Sequence, residues 1–186
     1  MNSPVFITAV SSDEELSRIL RLQQLNLPQN ISPEEAVRQG FVTVEHSFEI
    51  LKRMNERYPH FIAKVENEVV GYALVMTKEF RNELPVLIPM FEMIDRLEIE
   101  GQRLAEASYF VMGQICVAKN FRGMGIFDRL YRELQTAMKS NMDWCLTEVA
   151  SRNVRSLKAH YRAGFQTLHR YTDPRGEVWE ILYWKL

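Results

Sequence analysis

The chain has 186 residues, 46% of them hydrophobic and 25% charged, and its 23 Lys and Arg against 24 Asp and Glu leave a formal charge of -1. That length suits one domain over 1–186, and that composition excludes wholesale disorder and fibrous classes. The balanced charge argues against a nucleic-acid binder, and no run approaches the roughly 20 apolar residues of a membrane span.

Val5 to Val10 predicts a first strand. Ser12 then opens a helix with Glu15 three residues later, the spacing of a reciprocal capping box. Leu16, Ile19, Leu20 and Gln23 continue at helical spacing. A second capped start follows at Ser32-Pro33-Glu34-Glu35, with Gly40 as its stop. Phe48, Leu51 and Met54 predict another helix, ended before Pro59. Phe61 to Val65 and Val69 to Met76 read as a hairpin turning at Glu66-Asn67-Glu68. Lys78 to Ala107 is broken by Pro85, Pro89 and Gly101; it reads as an insertion over one end of the sheet, with a short helix over 89–94. Tyr109 to Val117 is a buried strand. Ile126, Leu130, Leu134 and Met138 recur every four residues and mark one packed helical stripe. Trp144 to Ala150 is a strand, Asn153 to Ala163 a helix stopped by Gly164. Phe165 to Thr172 and Val178 to Trp184 form a last hairpin across Asp173-Pro174-Arg175-Gly176. Strands mixed with helices, plus two hairpins, indicate an α/β (α+β) mixed sheet with helices on its faces.

The start, Met1 to Phe6, lacks the pattern of a secretory signal. Cys116 and Cys145 sit in apolar runs and read as buried reduced thiols, and no Cys/His cluster has zinc spacing. The expectation is a cytoplasmic protein without a metal.

Two segments carry chemistry. In Val117 to Ile126, Gly123 and Gly125 flank Met124 between a strand and an amphipathic helix. Glycines let a ligand approach the backbone, and a helix start presents unpaired N–H groups and partial positive charge. Together they suit a phosphate or pyrophosphate, with Arg122 adding a charged contact; a plain tight turn gives the same pattern. The Walker and dinucleotide forms are both absent, the third position of the latter being Asp128. In Asn153 to Phe165, Asn153 is either a helix cap or a donor to a ligand amide. Tyr161 is either a packing residue or an O–H able to protonate a leaving thiolate.

Taken in order, Asn120-Phe121-Arg122-Gly123-Met124-Gly125 and Asn153…Ser156…Tyr161…Gly164-Phe165 resemble the two signatures of the GNAT superfamily of acetyl-CoA-dependent N-acetyltransferases. The resemblance implies a mostly antiparallel central sheet flanked by helices, in which the strand ending at Val117 splays from the strand around Thr147 to admit acyl-CoA. It implies backbone pairing of the pantetheine arm at Ile115 and Val117. It assigns the pyrophosphate to Arg122, Gly123, Met124, Gly125, Ile126 and Phe127, and further contacts to Asn153 and Ser156. Tyr161 would stand near the thioester sulfur. The sequence departs from the family at Lys119, Asn120 and Phe127; the last packs in the core or covers the cofactor.

The implied reaction is direct attack by a neutral amine of a small molecule or peptide, with a proton acceptor drawn from Glu148, Glu92, Gln114 acting through water, and His46. Glu148 is the one assigned to the site, although strand alternation allows it to face the other way. His160 reads as structural. Leu25 to Val44 and Lys78 to Ala107 would wall the acceptor site. The apolar run Pro85 to Phe91 either suits an aliphatic or aromatic part of the amine or packs on the sheet. A non-catalytic acyl-CoA sensor and a longer-chain acyltransferase are the competing readings. The family resemblance admits a homodimer through the last hairpin, whose Trp179, Tyr183 and Trp184 are otherwise core residues.

Overall fold

The computed structural model describes residues 4–32, 34–35 and 41–186. The strands are β1 (Phe6–Ala9), β2 (Phe61–Val65), β3 (Glu68–Thr77), β4 (Glu98–Ile99), β5 (Gln102–Arg103), β6 (Tyr109–Val117), β7 (Trp144–Ala150), β8 (Gln166–Thr172) and β9 (Val178–Lys185). The helices used below are α1 (Asp13–Gln24), α2 (Phe48–Arg57), α3 (Ile88–Ile94), α4 (Ile126–Met138) and α5 (Val154–Ala163). Seven strands form one sheet in the order β1-β2-β3-β6-β7-β9-β8, and β4 and β5 form a separate hairpin. Of the registered pairings in the large sheet only β6 with β7 is parallel, so the sheet is mixed and mostly antiparallel as expected. The parallel ladder registers three pairs, Tyr109 to Val111 against Trp144 to Leu146. The helix expected from Ser32 to Gly40 falls on residues that lie largely outside the described ones.

The chain divides into two compact units. The first comprises Met1–Pro33, Phe41–Met76 and Met112–Ala137. Its α1 begins where Ser12 Oγ accepts from Glu15 N–H at 3.3 Å. The return half of the expected capping box is displaced by one residue. The Glu15 carboxylate accepts from Ser11 N–H at 2.8 Å through Oε2 and binds the Lys64 ammonium of β2 at 2.7 Å through Oε1. Leu16, Ile19 and Leu22 of α1 pack with Leu51, Ile62, Tyr72, Leu74 and Cys116 into a core. Gly71 on β3 is a packing requirement: a Cβ there would stand 3.2 Å from Cys116 O and 3.3 Å from the Ile126 side chain.

The second unit comprises Glu34–Gly40, Thr77–Val111 and Met138–Leu186. Here β9 runs antiparallel between β7 and β8. The α5 helix is capped by Asn153 and ends at Gly164, which adopts φ +107° and where a Cβ would stand 3.0 Å from Trp184 Nε1. Phe165 then stacks on Trp184 at 5.5 Å, and Tyr183 meets Trp144 edge-on at 5.8 Å, so these aromatics pack within the unit. The segment from Lys78 is tied down by its ammonium. Lys78 Nζ donates to the carbonyls of Leu104, Ala105 and Ala107 and lies 4.5 Å from the centre of the Tyr109 ring. The β4–β5 hairpin in this segment was not expected; its turn rests on positive φ at Glu100 and Gly101.

Candidate functional site

The loop between β6 and α4 lies in the first unit. After Val117 the chain makes a single 3-10 turn at Lys119–Phe121, extends at Arg122, and takes φ of +80° at Gly123 and +72° at Gly125. A Cβ at either glycine would meet nothing within 4 Å, so the backbone there is open to close approach. The first helical bond of α4 runs from Arg129 N–H to Gly125 O. The N–H groups ahead of it have no carbonyl of their own helix to bind, and they sit at the positive end of a helix dipole. Met124 between the glycines is exposed. On β6, Ile115 and Val117 are half-buried while Gln114 and Cys116, on the other face, are buried.

The Arg122 side chain turns inward. Its Nε donates to Val117 O at 3.0 Å and its Nη2 to Asn26 Oδ1 at 2.7 Å, which ties the loop to the ends of β6 and α1. In the structure the guanidinium expected to reach a ligand braces the loop. Phe127 is half-buried with its ring edge-on to Tyr131 at 5.1 Å, which favours packing over an exposed cover.

Two of the expected proton-handling candidates belong to a buried relay in the same unit. Gln23 accepts from His46 N–H through Oε1, and its Nε2 donates to His46 Nδ1 at 2.9 Å and to Gln114 Oε1 at 2.8 Å. Gln114 Oε1 also accepts from Tyr72 O–H at 2.6 Å, while its Nε2 donates to Val44 O. The lone pairs of Gln114 are filled. His46 uses Nδ1 as an acceptor, so its proton sits on Nε2 and the ring has no lone pair left to take another. Burial pushes its pKa down to about 4. Both residues serve the fold. Glu92 is exposed on α3.

The remaining candidates lie in the second unit. Asn153 is buried and caps α5, its Oδ1 accepting from Ser156 N–H at 3.3 Å. His160 is 2% exposed, bonds Ser156 O through Nδ1 at 2.8 Å and meets Phe165 edge-on, the structural role expected of it. Tyr161 is 42% exposed, and its hydroxyl donates to Glu180 Oε2 at 3.0 Å beside Thr167 Oγ1 at 2.9 Å. Glu180 itself is 2% exposed and also accepts from Ser151, Thr167 and Arg170. Burial opposes its ionisation, but the bonds from Tyr161, Ser151 and Arg170 outweigh burial and hold its carboxyl below the ordinary range.

Glu148 stands apart from that cluster. In register it pairs with Ile181 and through it with His169, whereas Glu180 pairs with Val149 and Arg170. Adjacent residues on a strand alternate faces, so Glu148 and the Tyr161–Glu180 cluster occupy opposite faces of the β7-β9-β8 ladder. Tyr171 O–H donates to Glu148 Oε1. Burial pushes the Glu148 carboxyl up to about 7, against the lowering effect of that bond; Asp173 adds to the rise.

Sequence reasoning missed Glu180 and Tyr171. A signal for Glu180 was present: it is the one carboxylate within the otherwise apolar run Val178 to Trp184, and a charge there requires partners. Tyr171 carried no comparable mark, since its role depends on a neighbour two strands away. Among the described residues no group of three or more His, Cys, Asp or Glu is placed to hold a metal ion. No helix among them is long and apolar enough to cross a membrane.

Comparison with known proteins gives one family. The model of the acetyltransferase (GNAT) family matches residues 21–165. No curated protein matches the chain significantly by sequence. Among solved structures, the ribosomal-protein-S18-alanine N-acetyltransferase from Escherichia coli is similar at TM-score 0.63 and 13% identity, covering 98% of this chain and 94% of that one. Ard1 from Thermoplasma volcanium is similar at TM-score 0.65 and 13% identity, covering 98% and 97%. The yncA structure from Salmonella typhimurium with its cofactor acetyl-CoA is similar at TM-score 0.62 and 14% identity, covering 98% and 94%.

Proposed function

Because the chain belongs to the acetyltransferase (GNAT) family, we propose that it moves the acetyl group of acetyl-CoA onto an amine of a small molecule or peptide, acting as one domain over residues 1–186. The observation that carries this reading is the loop at Gly123 and Gly125. Its backbone is open where a Cβ would meet nothing, and it feeds the start of a helix of 13 residues. That arrangement fits a pyrophosphate, which needs several convergent N–H donors and no bulk in front of them.

In this reading the backbone from Arg122 to Phe127 holds the pyrophosphate and the backbone of Ile115 and Val117 holds the pantetheine arm. Asn153 and Ser156 make further contacts. Bound acetyl-CoA supplies an activated thioester carbonyl. An amine is mostly protonated at neutral pH, so Glu148 accepts its proton; a carboxyl near 7 is matched to that task. The Tyr161 O–H, donated to Glu180 on the opposite face of the β7-β9-β8 ladder, takes no part in the step at Glu148. The two buried thiols are compatible with a cytoplasmic location. One observation favours the non-catalytic acyl-CoA-binding alternative: the Tyr161 hydroxyl is already donated to Glu180.

Calorimetric titration with acetyl-CoA, CoA and ATP, followed by thiol release over an amine panel, tests the reading. Binding of both CoA forms without ATP, and turnover of at least one amine, is the expected result. Glu148→Gln should then slow turnover on the order of 100-fold with cofactor affinity unchanged. Tight CoA binding with no turnover across the panel would move the conclusion to the sensor.

A further inference from the structure

We infer that Tyr171 is a positioning residue for acyl transfer: its phenol holds Glu148 by Oε1 and so presents Oε2 as the oxygen that receives the acceptor's proton. The inference rests on the proposed role of Glu148 and deepens it.

The geometry is local to the β7-β9-β8 ladder. Tyr171 lies on β8 opposite Trp179, and its hydroxyl reaches past β9 to Glu148 on β7. The phenol is itself held, with its ring stacked on His169 at 6.4 Å and an interplanar angle of 15°. A carboxylate has about four acceptor sites. Tyr171 occupies one on Oε1, and Oε2 has no partner among the described residues. This contrasts with Glu180, whose two oxygens accept four side-chain bonds. A carboxylate bonded through one oxygen keeps a defined orientation and still has a place for a proton.

The step balances simply. An N–H bond of the ammonium breaks with its electron pair left on nitrogen, and an O–H bond forms on Oε2. The amine becomes a neutral nucleophile and Glu148 a carboxylic acid, still hydrogen-bonded by Tyr171. The phenol keeps its own proton throughout.

The groups that bear on this titration are few. On the same face and in the following turn are His169, Tyr171 and Asp173, while β9 contributes Ile181 and Trp179. Asp173 is fixed by Trp179 Nε1 and by the backbone N–H groups of Arg175 and Glu177, with the Arg175 guanidinium at 3.3 Å. The Arg152–Glu177 pair closes the turn end, and Lys185 at the far end of β9 is bound to Glu100. None of these except Tyr171 bonds Glu148 among the described residues. A hydrogen bond to the charged form favours it, so removal of the phenol should make Glu148 harder to ionise.

The test reads Glu148 directly. Full-length protein labelled with 13C at the glutamate carboxyls is titrated by NMR from pH 5 to 9, the Glu148 signal being assigned by its loss in Glu148→Gln. The wild-type midpoint is expected near neutrality. Tyr171→Phe should raise it by about one pH unit, and site-specific 3-fluorotyrosine at 171, a stronger donor, should lower it. With an amine that is turned over, the acid limb of kcat/KM should move by the same amounts, while acetyl-CoA affinity stays constant. A midpoint unmoved by both changes overturns the positioning role. A midpoint that moves while the pH–rate profile stays fixed overturns Glu148 as the proton acceptor, and the catalytic half of the inference with it.

Discussion

Lowering the pH from 7.5 to 5.5 should destabilise this protein by an amount set by three buried histidines and the half-buried Glu148. Burial holds His46 and His160 at about 4 and His60 at about 3, against an ordinary 6.5. Their folded pKa values are depressed, so the unfolded chain takes up these protons first. The stability they contribute is present above 6.5 and drains away as pH falls below it. By 5.5 each has lost about 1.4 kcal/mol, or about 4 kcal/mol for the three. Glu148 works in the opposite sense, because its folded value near 7 lies above the ordinary 4.5. It takes up a proton in the folded state first, and returns about 2 kcal/mol over the same interval. Glu15 and Glu180, held low, change the balance only below 4.5, outside this window. The net loss is about 2 kcal/mol, equivalent to a fall in Tm of roughly 4–8 °C at this size. Glu148→Gln removes the offset, and its Tm should fall about twice as far over the same interval. Thermal melts of both proteins at several pH values between 5.5 and 7.5 decide the matter. A wild-type Tm that is flat or rises on acidification, together with an unchanged slope in Glu148→Gln, refutes the reasoning.

Gly125→Val forces a β-branched residue into φ +72° and should cost about 1–2 kcal/mol of local strain. It should also weaken acetyl-CoA binding by at least about tenfold as the loop backbone shifts, which calorimetry would show; unchanged affinity removes the loop from the cofactor site. Gln23→Leu leaves Gln114 Oε1 with one donor fewer and His46 without its partner. It should cost about 2–4 kcal/mol in urea unfolding. Turnover per folded molecule should be unchanged, since the relay serves the fold. Cys116, whose thiol burial pushes up to about 12, should resist alkylation in the native protein and react only on unfolding; rapid native labelling would contradict its buried placement.

Much of the fold was legible because the signals were local. The strand Tyr109–Val117 and the helix Ile126–Met138 carry continuous apolar or four-residue periodicity, and both appear with the expected ends. Gly164 stops α5 in the left-handed conformation its position required. The β4–β5 hairpin was not legible, since two-residue strands leave no period to read, and Glu100 takes a positive φ that no glycine announces. At the candidate site, the glycines of the loop were readable for the same local reason. The direction of the Arg122 side chain was not: its partner Asn26 lies 96 positions away in sequence.

What separates a polar residue that supports the fold from one that can act is how many of its bonding positions are already filled, and sequence carries almost no information on that count. Gln114, on the strand ahead of the glycine loop, looked suited to orienting water, yet its carbonyl oxygen already accepts from Gln23 and Tyr72. Glu180 has the buried carboxylate expected of a reactive group, but its bonds stabilise the ionised form and would be broken by a proton. Glu148 combines a single donor on one oxygen with burial that brings its ionisation near neutrality. A proton gained on its second oxygen breaks no bond described in the structure. For that reason proton transfer is better sought at Glu148 than at the residues whose sequence positions made them more conspicuous.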